Sequence, residues 1–282
     1  MKIVFFGSSR YAVPIIEMLH DNFDLALVVT TEQNRTDAVP FYCLAKKIEL
    51  LSVRKSSDLI SNYQIGNAQA SIGVVADFGL IIPTHTLDTF ENGIINIHPS
   101  LLPRYRGPTP VQSAILNGDT KTGVTIIKLD KYLDHGPIIA QTEEEIRPSD
   151  TSKILYERLF EIGAQLLAKV LNKYESSQVL STPQDHDQAT FTKALTRDDG
   201  FYDLSSIPNG TNFFERMVRA YYPWPGTWTK AVLNGKNEPK IIKFLPNKKI
   251  QAEGGNEMAY RDFLNGYPKA DPVLLNFLKK EI

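Results

Sequence analysis

The chain has 282 residues and a net charge of −1; 42% of its residues are hydrophobic and 22% charged, as in a globular protein with a substantial core. No run approaches the ~18 uncharged apolar residues of a membrane-spanning helix, and the four apolar residues after Lys2 are too few for a signal peptide, so we expect a cytoplasmic protein without a membrane partner. The single cysteine, Cys43, excludes an intramolecular disulfide and a thiolate metal cluster within one chain.

The first half of the chain alternates short β-branched runs with amphipathic stretches. This pattern predicts an α/β fold built on a Rossmann-like, mostly parallel sheet. We expect strands at 2–6, 24–30, 71–76, 93–97 and 123–129, and a short helix at 11–20. A long helix is expected at 151–174, where apolar residues recur at helical spacing. These residues are Leu155, Leu159, Ile162, Leu166 and Val170.

Residues 175–200 are polar and rich in turn-forming residues, so we expect two domains, 1–204 and 205–282. The second is expected to contain a helix near 213–221, strands at 227–233 and 240–245, and a final helix at 272–280. It carries 12 Lys and Arg against 7 Asp and Glu, a net charge of +5, whereas 1–204 carries 19 against 25, a net charge of −6. Basic charge favours a polyanionic partner such as RNA, but small domains also vary this much by chance.

Three polar residues, Asn96, His98 and Asp134, are candidate catalytic residues. Asn96 and His98 are two apart at the end of an expected strand, so their side chains share a face and their backbones are roughly 6.6 Å apart. A histidine moves protons near neutral pH, and an asparagine amide donates to an oxyanion. Asp134 follows the next expected strand and offers a carboxylate to orient the histidine. The three types fit acyl transfer to an amine, but capping and turn formation also explain them.

The segment from Asn96 to Gln141 resembles the 10-formyltetrahydrofolate-dependent formyltransferases. It contains the superfamily's Asn-x-His motif, the run Ser-Leu-Leu-Pro at 100–103, and an aspartate 36 residues after the histidine. The resemblance implies an N-formyltransferase that uses 10-formyltetrahydrofolate as co-substrate, with Asn96, His98 and Asp134 as catalytic residues.

Within this superfamily the chain most resembles the methionyl-tRNA formyltransferases, over nearly its whole length. The segments that carry the likeness are 6–14, 77–83, 104–112, 123–126, 182–185 and 223–226. The resemblance implies that initiator methionyl-tRNA is the acceptor and that residues 205–282 form a truncated, OB-like, β-rich domain. We expect the protein to be a monomer.

The resemblance also implies binding residues. Folate would lie against Phe78, Gly79, Leu80, Ile82, Ser100, Leu101, Leu102 and Pro103, with a cis bond between the last two. The candidates for contacting the acceptor are Ser8, Arg10, Arg104 and Arg106, although an arginine on a loop is often simply solvated.

Three features differ from the methionyl-tRNA formyltransferases. The loop at 31–37 is short and nearly neutral where that family has a long basic one, and the C-terminal domain has only 78 residues. Residues 98–100 and 134–137 are closer to the glycinamide ribonucleotide enzymes. The acceptor could therefore be glycinamide ribonucleotide or an amino sugar nucleotide. Formylfolate hydrolysis, and folate or RNA binding without catalysis, are further alternatives.

Asp185, His186 and Asp187 form a short run of metal-ligating residue types. Three adjacent side chains cannot all face one ion from a strand or a helix, and no second cluster accompanies them. We therefore expect no metal.

Overall fold

A computed structural model describes residues 1–31, 37–60, 62–205, 210–233 and 238–281. Contacts divide the chain into two compact units: Met1–Pro110, Lys121–Glu145 and Tyr156–Lys193 form the first, and Val111–Thr120, Ile146–Leu155 and Ala194–Ile282 form the second. The domain boundary expected after residue 204 stays a prediction. The short loop noted at 31–37 lies mostly outside the described residues. No helix in the described ranges is long and apolar enough to cross a membrane.

Seven strands form the sheet of the first unit: β1 (Lys2–Phe6), β2 (Asp24–Thr31), β3 (Leu50–Val53), β4 (Ile72–Val75), β5 (Ile94–His98), β6 (Lys121–Lys128) and β7 (Ile138–Glu145). The strand order is β3-β2-β1-β4-β5-β6-β7. Strands β1 to β5 are parallel, whereas β6 runs antiparallel to β5, and β7 antiparallel to β6. The expected α/β fold with a mostly parallel sheet is confirmed. Strands β3 and β7 were not among the expected ones.

Burial of the strands in the middle of the sheet explains why their sequences are continuous apolar runs. Strand β4 is buried along its whole length, and β1 is buried from its second residue onwards. Strands covered on both faces read as continuous apolar runs rather than alternating ones. Strand β7 alternates between half-buried and exposed residues at its polar end, so it lacks the apolar run by which the other strands are recognised.

The helices that the structure describes differ widely in length. They are α1 (Val13–Asn22), α2 (Ala38–Lys46), α3 (Ser57–Ile60), α4 (Tyr63–Asn67), α5 (Thr84–Leu87), α6 (Pro110–Asn117), α7 (Ser152–Glu175), α8 (Gly210–Ala220), α9 (Tyr260–Gly266) and α10 (Pro272–Glu281). The long helix expected at 151–174 and the last helix expected at 272–280 correspond to α7 and α10. Short 3₁₀ turns lie at Arg10–Ala12, His186–Gln188 and Arg197–Gly200.

Helix α7 buries a face that overlaps the expected stripe only in part. Leu155, Leu159 and Val170 are buried as expected, but Ile162 and Leu166 are only half-buried. Phe160 and Leu167 are buried instead. A helix repeats every 3.6 residues, so positions adjacent to a predicted apolar stripe can replace its members when they also carry apolar side chains.

The second unit contains a smaller sheet of four strands: β8 (Thr227–Val232), β9 (Pro239–Leu245), β10 (Lys249–Ala252) and β11 (Glu257–Ala259). They are antiparallel in the order β11-β10-β9-β8. Phe244 of β9 packs against the rings of Phe214 and Phe277, and the three ring centroids are 4.7 to 5.8 Å apart. The expected small β-rich region is confirmed as this four-stranded sheet.

The buried face of α7 gives a stability prediction. Leu167 is fully buried, so Leu167→Ala should lower the free energy of unfolding by about 2–5 kcal/mol through lost contacts and a cavity. Gln165→Ala, at an exposed position on the same helix, should change it by less than about 0.5 kcal/mol. Urea unfolding followed by circular dichroism measures both. Equal losses in the two variants would contradict the buried face described here.

Candidate active site

Asn96 and His98 lie on the same face of β5, near its carboxyl end. His98 is only 4% exposed. Its Nε2 atom lies 2.9 Å from the backbone oxygen of Tyr105. A carbonyl oxygen only accepts hydrogen bonds, so Nε2 carries a proton and Nδ1 is the nitrogen that remains for other partners.

The carboxylate of Asp134 meets both residues. Its Oδ1 accepts a hydrogen bond from Asn96 Nδ2 at 3.3 Å, and its Oδ2 lies 3.7 Å from His98 Nδ1. The Gly107 N–H donates to the same Oδ2 at 2.8 Å. Asp134 is 7% exposed, so the three residues singled out in the sequence form one nearly buried cluster.

The route by which Asp134 reaches this cluster differs from a simple strand-end loop. Strand β6 is antiparallel to β5, so it ends beside the beginning of β5, where the Leu129 N–H donates to Ile94 O at 2.8 Å. The following loop turns back until Asp134 is level with Asn96 and His98. Asp134 thus lies beside Asn96 and His98 as predicted, but the antiparallel strand that makes this turn necessary was not predicted.

A cleft of about 460 Å³ opens beside the cluster, within the range of small-molecule sites. One wall consists of residues 77–82, another of 129–134, and the floor includes Asn96 and His98. Three large apolar side chains, Ile81, Tyr132 and Leu133, are exposed at these walls. The cleft therefore combines apolar walls with a small polar floor.

The residues expected to bind folate occupy two different places. Phe78, Gly79, Leu80 and Ile82 line the cleft. Residues 100–103 are not among the described residues that line it. They form the turn after β5: Leu102 N–H donates to a threonine hydroxyl at 3.1 Å, and the bond between residues 102 and 103 is cis, as the resemblance implies.

Ser8 and Arg10, expected to contact the acceptor, are engaged within the first unit. The Ser8 hydroxyl donates to Phe78 O at 2.9 Å and accepts from the Thr31 N–H at 3.0 Å. Arg10 donates to Glu157 at 2.6 Å. Neither side chain lies among the cleft-lining residues of the described ranges. Their expected role in acceptor binding stays a prediction.

Arg104 and Arg106 differ sharply in exposure. Arg104 is exposed, and its guanidinium lies 4.9 Å from the centroid of the Tyr105 ring. Arg106 is 3% exposed and donates to Gln184 and to His186 Nδ1. Burial lowers the pKa of Arg106, and the charge of Asp134 opposes this shift. Arg106 therefore makes its contacts inside the protein rather than in solvent, and the expected role of Arg104 and Arg106 in acceptor binding stays a prediction.

Gln184 and Asp77 belong to the site or its surroundings but were not among the site residues predicted from the sequence. Gln184 comes from the polar stretch 175–200, yet its side chain is buried against the Asp134 loop. Asp77 lines the cleft beside Phe78. The resemblance of segments 77–83 and 182–185 to the family was the sequence signal for Asp77 and Gln184.

Asp77 lies at the cleft wall and is exposed to water there. Desolvation by the protein around its carboxyl group raises the pKa of Asp77 above its ordinary value, and a hydrogen bond from the Ser9 hydroxyl opposes the shift. Within the described residues, no three His, Cys, Asp or Glu side chains come together as they would around a metal ion.

Comparison with known proteins identifies the family. The sequence profile described as "Formyl transferase" matches residues 1–171, more than half of the chain. The chain belongs to the formyl transferase family. The resemblance inferred from the motifs around Asn96 and Asp134 is thereby confirmed.

Individual relatives agree with this family. A methionyl-tRNA formyltransferase of Chloroflexus aurantiacus is 40% identical over 238 residues, which cover 81% of this chain and 76% of the relative. One of Acidobacterium capsulatum is 33% identical, covering 94% and 96%. The crystal structure of phosphoribosylglycinamide formyltransferase from Bacillus halodurans matches with a TM-score of 0.56 and 26% identity, covering 62% of this chain and 96% of that one.

The raised pKa of Asp77 predicts a pH-dependent gain in stability on its removal. Above that pKa the folded protein holds a carboxylate that the unfolded chain solvates better; below the ordinary value both states hold the neutral acid. Asp77→Asn should therefore raise the melting temperature at about pH 7 more than at about pH 3. Thermal melts at both values measure this. Asp88→Asn, at an exposed site that does not line the cleft, is the control, and an equal gain there would contradict the effect of desolvation on Asp77.

Proposed function

We propose that the chain transfers a formyl group from 10-formyltetrahydrofolate to the amino group of methionyl initiator tRNA. The observation that carries the proposal is the meeting of Asn96, His98 and Asp134 at the floor of the cleft. Relatives named methionyl-tRNA formyltransferase cover most of the chain at 33–40% identity and support this acceptor.

Asn96 and His98 are assigned to the oxyanion that forms when the amine attacks the formyl carbon. The Asn96 amide has two N–H groups and gives one to Asp134, which leaves the other for the oxyanion. His98 Nε2 is engaged with Tyr105 O, so only Nδ1 can face the reaction. To donate from Nδ1 as well, the ring must be an imidazolium, which would face the Asp134 carboxylate at 3.7 Å.

Asp134 is assigned to proton transfer. The attacking amine must lose a proton, and the folate nitrogen that leaves must gain one. A carboxylate that lines the cleft and neighbours both other residues can accept the first proton and return it. The Gly107 N–H donates to Oδ2 and keeps the carboxylate oriented while the proton is absent.

Folate is assigned to the apolar wall formed by Phe78, Gly79, Leu80 and Ile82, which lies beside the three polar residues. Ser100, Leu101, Leu102 and Pro103 are proposed to shape this site as the resemblance implies. Family membership supports formyltetrahydrofolate as the donor. We further propose that the protein is a monomer, that it is cytoplasmic and that its reaction needs no metal.

The proposed acceptor is held in part by the basic residues of 205–282, which carry a net charge of +5. The 26% identity with a phosphoribosylglycinamide formyltransferase favours one other candidate, transfer to a small amine by the same three residues.

The catalytic assignment predicts large losses of turnover. Asn96→Ala should lower kcat by about 10²–10³-fold through loss of an oxyanion donor. His98→Asn and Asp134→Asn should each lower it by about 10²–10⁴-fold through loss of a charged or proton-transferring group. Formylation of charged initiator tRNA measures kcat, and circular dichroism checks the fold. Asp88→Asn serves as the exposed control. Near-normal turnover in all three variants would show that Asn96, His98 and Asp134 are not the catalytic residues.

The proposed acceptor predicts a salt dependence. Binding of tRNA through basic side chains releases counterions, so kcat/KM for charged initiator tRNA should fall steeply as salt rises from about 50 to 200 mM. The same salt range should change formylation of glycinamide ribonucleotide or an amino sugar nucleotide only slightly. Efficient transfer to a small amine with no transfer to charged tRNA would replace the proposed acceptor. Formate release without any amine would indicate hydrolysis instead.

A further inference from the structure

Asp134 has a backbone conformation that residues other than glycine rarely adopt. Its φ is +47°, in the left-handed region. Residues other than glycine are uncommon in this region, so contacts with the main chain help to define such a loop. The bonds from Asn96 and Gly107 fix the carboxylate, but they do not fix the main chain. Other contacts must hold the backbone of the loop.

The side-chain amide of Gln184 makes such contacts. Its Nε2 donates to the backbone oxygen of Asp134 at 2.9 Å and to that of Gly136 at 2.7 Å. These two carbonyls flank His135, so one amide group holds the loop on both sides of that residue. Gln184 is 6% exposed, which keeps water from replacing either bond.

Arg106 fixes the orientation of this amide. Its Nε and Nη2 donate to Gln184 Oε1 at 3.2 and 2.7 Å. A guanidinium only donates and a carbonyl oxygen only accepts, so Gln184 must turn its oxygen to Arg106 and its NH₂ to the loop. Both hydrogens and the oxygen of the amide are then used, and loss of either side would leave buried polar groups unpaired.

The segment that contains Arg106 contacts Asp134 in two ways. The Arg106 N–H donates to Thr190 O at 2.8 Å, which anchors this segment. The next residue, Gly107, donates its N–H to the Asp134 carboxylate. Arg106 itself holds Gln184, which binds the Asp134 main chain. Residues 106 and 107 therefore hold both the carboxylate and the backbone of Asp134, the first directly and the second through Gln184.

We propose that Gln184 is a positioning residue for formyl transfer: it links Arg106 to the Asp134 loop and so fixes the Asp134 carboxylate against His98 and Asn96. The inference rests on the proposed function of Asp134. Gln184 is not among the described residues that line the cleft, so it acts through Asp134 rather than on a substrate. A misplacement of about 1 Å in a catalytic group can lower turnover roughly 10²-fold.

Gln184→Glu tests the link directly. The variant keeps an oxygen for Arg106 but replaces the NH₂ group with an oxygen that repels the carbonyls of Asp134 and Gly136. We expect kcat for charged initiator tRNA to fall about 10²-fold, with the KM for 10-formyltetrahydrofolate unchanged. Gln188→Glu, the same change at an exposed position nearby, should keep the wild-type kcat.

A shorter amide provides a second variant. Gln184→Asn retains both hydrogen-bonding groups but lacks one methylene, so it cannot span Arg106 and the loop together. It adds no charge and therefore tests the same link if the Glu variant does not fold. We expect the same pattern, a lower kcat with an unchanged KM for the folate. Wild-type kcat in a folded Gln184 variant would overturn the proposal.

Combination with Asp134→Asn separates positioning from a general structural effect. If Gln184 acts through Asp134, its substitution should have little further effect in the Asp134→Asn background, as measured by single-turnover formyl transfer. Independent, multiplying effects would overturn the proposal. If Asp134→Asn loses activity while the Gln184 variants stay fully active, the positioning role of Gln184 is refuted and the proposed function stands. Full activity in Asp134→Asn refutes the proposed function itself.

Discussion

The buried carboxylate of Asp134 is the group on which the geometry of the cleft floor depends. A carboxylate withdrawn from water is stable only where hydrogen-bond donors or positive charge surround it. Asn96 and Gly107 supply donors, and His98 is the neighbour that can become positive. These partners come from β5 and the loop after it, while Asp134 comes from the loop after β6. Satisfying one charge thus brings separate segments together.

Two glycines allow the loops to approach closely enough. Gly107 has φ +106°, and a Cβ there would lie 2.8 Å from the backbone oxygen of Thr192. A Cβ on Gly136 would lie 1.8 Å from Lys128 O, far inside van der Waals contact. A side chain at Gly107 would push its segment away from Thr192, and one at Gly136 would push the Asp134 loop away from β6. The backbone of these loops is therefore specified as strictly as the polar side chains.

The sheet and the polar cluster were predictable from sequence because their signals are local. Apolar runs indicate strands such as β4, and the Asn-x-His pattern marks the end of β5. The pairing direction of β6 was not predictable, because an apolar run is the same in parallel and antiparallel strands. The burial of Arg106 and Gln184 was also missed. A polar side chain is buried only where the fold supplies partners, and these two are 78 residues apart in sequence.

The polar cluster separates the chemistry from the choice of acceptor. His98 Nε2 is engaged with Tyr105 O, so Nδ1 is the ring nitrogen that faces the Asp134 carboxylate. The same carboxylate orients the Asn96 amide, and donors oriented in advance need little rearrangement as charge develops. In the proposed mechanism the three residues act on the formyl group and on the proton of the amine, which every amine acceptor shares. The proposed roles therefore leave the choice of acceptor to residues outside the cluster, and one such arrangement can serve formyltransferases with different acceptors.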